Sequence, residues 1–163
     1  MVEFRKVTQK KDIDLIASMA EIIWHEHYTP IIGKEQVLYM LKKFQSSESM
    51  MDQIKNGYSY VLIRHDEKDI GYLAYEQRKN SIFLSKIYLL KESRGKGFGK
   101  RAMDYVFEKA GELNCVSVQL TVNRFNKGSI QAYENSGFEK RGELVQDIGN
   151  GFVMDDYFME KSV

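Results

Sequence analysis

The stretch Arg94-Gly95-Lys96-Gly97-Phe98-Gly99-Lys100 most constrains what this chain can fold into. The largely apolar run before it, Ile82–Leu90, reads as a buried strand. After it, Ala102, Met103, Val106, Phe107 and Ala110 recur at helical spacing. A glycine-rich turn that joins a strand to a helix start is an anion-binding corner. Glycines let the backbone come close to an oxyanion, the first helical N–H groups have no partner inside the helix, and the helix dipole favours negative charge there. Arg94, Lys96, Lys100 and Arg101 add positive charge around the same corner. The stretch predicts a phosphate site.

The familiar nucleotide loops do not fit. A triphosphate P-loop needs a hydroxyl residue after its lysine, and Arg101 follows Lys100. A dinucleotide fingerprint needs Gly-x-Gly-x-x-Gly on the first strand of a βαβ unit. Gly95, Gly97 and Gly99 have another spacing and follow a fourth strand. Net charge is +1, so no whole-chain field steers the protein toward nucleic acid or an anionic membrane. The single Cys115 excludes an internal disulfide or a cysteine-rich zinc site, and no metal is expected. Its apolar surroundings predict a buried, inert thiol in a reducing cytoplasm. The first residues lack the apolar core of a signal peptide, and no apolar run is long enough to span a membrane.

With 163 residues and one proline, the chain is expected to form a single domain over 1–163. Val2–Val7 reads as a strand and Asp12 to about Tyr28 as a helix, closed by Pro30 and Gly33. On that helix Ile13, Ile16, Ala20, Ile23 and His27 form one stripe, with Leu15, Met19, Ile22 and Glu26 beside it. Asp14, Ser18, Glu21 and His25 take the remaining face, so Glu26 and His27 are expected to point inward and His25 outward. Lys34–Gln45 is a second helix and Ser49–Asn56 a candidate third. Tyr58–Arg64 and Ile70–Glu76 read as a hairpin. Beyond the glycine turn, Val116–Val122 alternates as a half-buried strand, Asn126–Asn135 is a short helix, and Phe138–Gln146 and Phe152–Glu160 close the chain as strands. The order is that of a mixed α/β (α+β) domain.

About thirty residues past the glycine turn, Asn126-x-x-Ser129 leads to Tyr133-x-x-x-Gly137-Phe138. The two motifs together resemble the GNAT superfamily of acyl-CoA-dependent N-acetyltransferases. Arg94, Gly97 and Gly99 match its first signature. Asn126, Tyr133, Gly137 and Phe138 match its second, with Ser129 where alanine is usual. The resemblance implies a mixed, mostly antiparallel sheet of about seven strands with splayed central strands and flanking helices. It implies acetyl-CoA as co-substrate. The N–H groups of Arg94, Gly95, Lys96, Gly97, Phe98, Gly99 and Lys100 would then cradle the coenzyme pyrophosphate, and the backbone of Ile87, Tyr88 and Leu89 would pair with pantetheine, the Leu89 N–H polarising the thioester carbonyl. Asn126 and Ser129 would bind the pantetheine arm or adenosine-side phosphates. Tyr133 would protonate the departing thiolate.

The family reaction is direct attack of an amine on the thioester, and an amine with a pKa near that of lysine, about 10.4, must lose a proton first. Many relatives keep a Glu or His on the strand before the glycine turn. This strand offers Ser85 and Lys86, neither a good base, so Glu26 and His27 are the candidate bases. Asp155 and Asp156 alternate on the last strand, Asp156 on an apolar face with Phe152, Met154 and Phe158. A carboxylate there needs a partner or a cationic ligand. A looser similarity to bacterial polyamine acetyltransferases implies a small amine acceptor such as spermidine. Glu26, Asp155 or Asp156 would be its ammonium partners, and Trp24, Tyr28, Tyr72 or Tyr75 its aromatic walls. The alternatives are a protein N-terminus or lysine, an amino sugar or drug amine, and a non-catalytic acyl-CoA sensor. The final strand is a candidate for pairing across a homodimer.

Overall fold

The computed structural model describes residues Met1–Val163. The elements follow in the order β1 (Val2–Val7), α1 (Lys10–Ile32), α2 (Lys34–Phe44), α3 (Ser47–Lys55), β2 (Ser59–His65), β3 (Lys68–Arg78), β4 (Ser81–Leu89), a short 3-10 turn (Lys91–Ser93), α4 (Phe98–Glu112), β5 (Ser117–Asn123), α5 (Lys127–Asn135), β6 (Glu139–Gly149) and β7 (Phe152–Ser162). The strands make one seven-stranded sheet in the order β1-β2-β3-β4-β5-β7-β6. Every neighbouring pair is antiparallel except β4 with β5.

Two cores sandwich the sheet. On one face Val61, Ile63, Leu73, Tyr75, Ile82 and Leu84 meet Ala102, Met103, Val106 and Ala110 of α4 and Ile130 of α5. On the other, Tyr60, Leu62, Tyr72 and Ala74 meet Ile13, Ile16, Ala20 and Ile23 of α1, with Val37 and Met40 of α2 and Met50 of α3. Because both faces are covered, Tyr60-Val61-Leu62-Ile63 is apolar without a break and its alternate residues enter different cores. The hairpin between β2 and β3 is tighter than the charged run His65–Asp69 suggests. His65 pairs with Lys68, and Asp66 and Glu67 form a two-residue turn with φ of 49° and 65°.

Three expectations are corrected. Pro30 lies inside α1 and does not close it; the helix runs to Ile32, and Gly33 ends it at φ 87° with its N–H donating to Thr29 O. Proline frees only the Glu26 carbonyl, and Glu26 is on the exposed side. Leu15, Ile22 and Glu26 are exposed, so the helix buries one stripe and not two. The final strand β7 is not an edge, because the tight turn at Asn150-Gly151 folds β6 outside it. No helix is long and apolar enough to cross a membrane.

Strand β3 approaches β4 closely at Gly71. A Cβ built there would lie well inside the Tyr88 carbonyl oxygen and 3.1 Å from Leu89 Cα. Gly71→Ala is therefore expected to lower the free energy of unfolding by about 1–3 kcal/mol through overpacking, read as a lower urea midpoint. An unaltered midpoint would mean that β4 yields at Tyr88–Leu89 without cost.

Candidate active site

Parallel pairing of β4 with β5 holds only from Ser81 to Phe83, against Ser117 to Gln119. Beyond that the strands part. On its other edge β4 stays paired to β3 as far as Leu89, but with a bulge: Tyr75 pairs with Leu84 and Ala74 with Lys86, leaving Ser85 extra. A bulge bends its strand and increases the local twist. The β5-facing backbone edge of Leu84–Leu89 is thus left without a strand partner, opening into a cavity of about 1580 Å³. That exceeds the roughly 300–1,000 Å³ typical of one drug-sized ligand, so two molecules can share it. Ile87, Tyr88 and Leu89 line it, and β7, α1, α2, α4 and α5 supply the remaining walls.

At one end lies the glycine turn. Gly95 and Gly97 have φ of 76° and 84°, which only glycine adopts freely, while Gly99 does not need it. The N–H groups from Gly95 through Lys100 donate to no acceptor in the protein, which suits a coenzyme pyrophosphate, whereas the Arg94 N–H, expected in the same cradle, donates to Lys91 O at 3.2 Å. Arg94 does not point freely at an anion: its Nε donates to Leu89 O at 3.0 Å and ties the turn to the end of β4. Lys100 and Arg101 sit 3.7 Å from Asp104 and Glu108 along α4. Arg94, Gly99 and Lys100 line the cavity; Phe98 stacks on His65 at 4.6 Å and offers only its backbone. Lys161 of β7 also lines the cavity, its ammonium near Phe107 and Gly137. Nothing in the local sequence marks it, since β7 brings it there by register alone.

Midway along the cavity, α1 and α5 meet. Asn126 caps α5: its Oδ1 accepts from the Ser129 N–H at 3.3 Å and lies 3.2 Å from His27 Nε2. Since that oxygen only accepts, the imidazole donates from Nε2. Only the Asn126 amide nitrogen remains for a ligand. Burial holds His27 below its ordinary pKa, so the ring is neutral near pH 7. Tyr133 opens onto the cavity with no hydrogen bond from its hydroxyl to protein, and burial pushes its pKa up, keeping the phenol protonated. Tyr28 and Tyr88 share a hydrogen bond at 3.0 Å and pack edge-on with Trp24.

The carboxylates separate. Asp156 lines the cavity at 4% exposure and makes no ion pair; burial first, then the charge of Asp155, raises its pKa to about 6. Asp155, on the other side of the strand, is held by Arg124 at 2.8 Å. Glu26 is exposed and lines no part of the cavity, because it falls on the outer side of α1. Tyr72 is fully buried, donating to Gln45 Oε1 at 2.7 Å, and Tyr75 faces the opposite core, so neither is a wall for an acceptor. Trp24, His27 and Tyr28 are. Lys86 is on this wall too, its Nζ donating to Tyr60 Oη at 3.0 Å, and burial lowers its pKa to about 7. Its ordinary pKa hid it among candidate site residues.

Residues 16–138 match the family model described as the acetyltransferase (GNAT) family, and the chain belongs to that family. It is an N-acetyltransferase, with acetyl-CoA as the acetyl donor. The chain is 26% identical over 149 residues to uncharacterized N-acetyltransferases of Mycobacterium bovis and Mycobacterium tuberculosis, covering 88% of this chain and 96% of theirs. It is 25% identical over 124 residues to a Bacillus subtilis subsp. natto protein named "Probable spermine N(1)-acetyltransferase", covering 69% of this chain and 79% of that one. The fold superposes on the crystal structure of PaiA N-acetyltransferase from Thermoplasma acidophilum in complex with coenzyme A. The TM-score is 0.81 at 21% identity, covering 100% of this chain and 99% of that one.

The glycines should differ in what they tolerate. A Cβ at Gly99 would meet Leu89 Cδ1 at 3.9 Å, an ordinary contact, whereas any side chain at Gly97 is forced into φ 84°. Left-handed strain of about 1–2 kcal/mol in Gly97→Ala is expected to weaken coenzyme A binding by about 5- to 30-fold in calorimetric titration. Gly99→Ala should stay within about 3-fold of the parent. Equal losses would mean that binding does not depend on the shape of the turn.

Proposed function

We propose that the chain acetylates the primary amine of a small molecule, with Asp156 receiving the ammonium group and its proton and Tyr133 giving a proton to the departing sulfur. The observation that carries this is Asp156: a carboxylate buried on the cavity wall with no cation or donor from the protein. An unpaired buried carboxylate is costly unless a cation comes to it, and an amine acceptor is one. A pKa near 6 also suits a base working near neutral pH.

Acetyl-CoA supplies the activated acetyl group. The N–H groups of the glycine turn and the free edge of β4 at Ile87–Leu89 would hold it, with Asn126 Nδ2 and Ser129 beside the pantetheine arm. Asp156 takes one proton from the acceptor ammonium, freeing the nitrogen lone pair to form the C–N bond. As the C–S bond breaks Tyr133 protonates the sulfur, and the nitrogen's second proton, acidic once the C–N bond has formed, passes to the resulting phenolate to leave the neutral amide and the free thiol. Tyr133 stays protonated at working pH because its site is apolar, so it can donate to a thiolate whose own pKa is nearer 8.5. His27 holds Asn126 and the start of α5 in place, and its Nδ1 is a second acceptor for a proton. A polyamine is the acceptor that the name of the Bacillus subtilis relative brings to mind. The cavity supports one ammonium site of this kind, since Asp155 is paired and Glu26 lies outside.

Thiol release over an amine panel tests the reading. Asp156→Asn and Tyr133→Phe are each expected to lower kcat by about 10²- to 10⁴-fold while coenzyme A affinity changes little. Equal losses in turnover and affinity would make either residue a packing group. Asp156 works only as the carboxylate, which predominates above about pH 6. So kcat/KM should fall as pH drops through that value, and an acid limb persisting in Asp156→Asn would remove Asp156 from the role of base.

A further inference from the structure

Lys86 stands in the wall of the acceptor end of the cavity and has no partner of opposite charge. It is placed there by the bulge at Ser85, which turns Lys86 and Tyr88 onto the face covered by α1, α2 and α3. The ammonium uses one donor, to Tyr60 Oη at 3.0 Å. Tyr60 passes its own proton to Gln53 Oε1 at 2.5 Å, so its oxygen is an acceptor toward Lys86 and carries no negative charge. No carboxylate lies within ion-pair distance of Lys86, and burial alone accounts for its lowered pKa.

The other charges around this end are occupied. Arg78 pairs with Glu76 at 2.5 Å and lies over the Phe83 ring at 3.8 Å. Lys43 donates to the Ile148 carbonyl and to Tyr39 Oη. Asp147 accepts from the Gly149 N–H at 2.8 Å. Lys43 and Asp147 also lack a partner of opposite charge but are exposed to water, whereas Asp156 on β7 is buried and Lys86 on β4 half-buried, and these two face the cavity from opposite sides of the splay. They are not within salt-bridge distance of each other, so neither neutralises the other.

We propose that Lys86 binds an anionic oxygen group of the acceptor, a carboxylate or a phosphate, so that the substrate is a small amine carrying an acidic group a short chain away from its nitrogen. The inference rests on the reading that Asp156 receives the amine. A zwitterionic acceptor completes both isolated charges at once, whereas a polycation sets a second ammonium against Lys86. A site built to pair a charged substituent discriminates against analogues that lack it, because its own half-buried group is then left without a counter-charge. Lys86 is in this account a specificity residue, and the proton traffic stays with Asp156 and Tyr133.

The experiment compares acceptors of similar length in a thiol-release assay with the full chain and acetyl-CoA: 4-aminobutanoate, 3-aminopropyl phosphate, butylamine and 1,4-diaminobutane. At least one anionic amine is expected to exceed butylamine in kcat/KM by about 10-fold or more, mainly through KM, and the better of the two identifies the group. Lys86→Met should erase that preference and Lys86→Arg should retain most of it. Preference for the diamine, or an equal loss for every acceptor in Lys86→Met with kcat carrying the loss, overturns the proposal; the second result would make Lys86 a base. Titration of the coenzyme A complex with 4-acetamidobutanoate, 3-acetamidopropyl phosphate and uncharged N-butylacetamide reads the same site without turnover. Tighter binding of an anionic product, lost in Lys86→Met, supports the proposal even if no amine is acetylated, in which case the catalytic reading alone fails. No preference for an anionic ligand, in binding or in turnover, overturns it.

Discussion

The parting of β4 from β5 is the constraint on which the rest of the molecule depends. A parallel pair normally continues for the length of its shorter strand, yet here the ladder ends at Phe83 and Gln119. The sheet survives because each strand is fully paired on its other edge, β4 to β3 and β5 to β7, and because both faces are sealed by apolar cores. What is left is a row of backbone donors and acceptors facing a cavity, which must find water or ligand. The same parting brings the glycine turn, the cap of α5, the end of α1 and the inward face of β7 around one space. Without it, Asn126, His27 and Tyr133 would border solid protein.

Burial, applied to two lone side chains, then sets the electrostatics. Lys86 and Asp156 carry opposite charges in their ordinary states, and desolvation drives both toward neutrality, to about 7 and about 6. Most other charged side chains near them are matched by a partner: Arg78 by Glu76, Arg124 by Asp155 and Glu143. A buried carboxylate and a half-buried ammonium without counter-ions on one cavity wall fit a ligand that is itself charged. The phenols follow the same rule with another result. Burial keeps Tyr133 and its neighbours Tyr28 and Tyr88 protonated, so the centre of the cavity offers donors without adding charge.

Much of this is legible in the chain because the signals are local. Period-two and period-3.6 patterns mark nearly every element, and the glycine-rich run marks a tight turn, in which Gly95 and Gly97 take positive φ. The misreadings share a cause. Glu26 and His27 are adjacent on one helix, and a small rotation decides which faces inward; the packing of Ile16, Ala20, Ile23 and Trp24 settles it in favour of His27. Tyr72 reads as a binding-site aromatic but is sealed in the core by Gln45 and α1. Pro30 carries a stop signal that the packed end of α1 overrides. Lys86 is set aside as a poor base because the bulge that turns it onto the cavity, a property of two paired strands, is invisible in one of them.

The sequence by itself determined the element order, the shape of the glycine turn, the cap at Asn126 and the family, since each depends on residues near one another along the chain and on glycine, asparagine and apolar spacing that few other choices replace. Only the tertiary structure decided which charges stand alone. Whether Asp156 or Asp155 keeps a partner, and whether Lys86 faces open solvent or the cavity wall, depends on strands distant in sequence and on where their pairing stops. A side chain's pKa and its need for a ligand are set by what surrounds it in space, and that information enters only when the sheet has closed around the cavity.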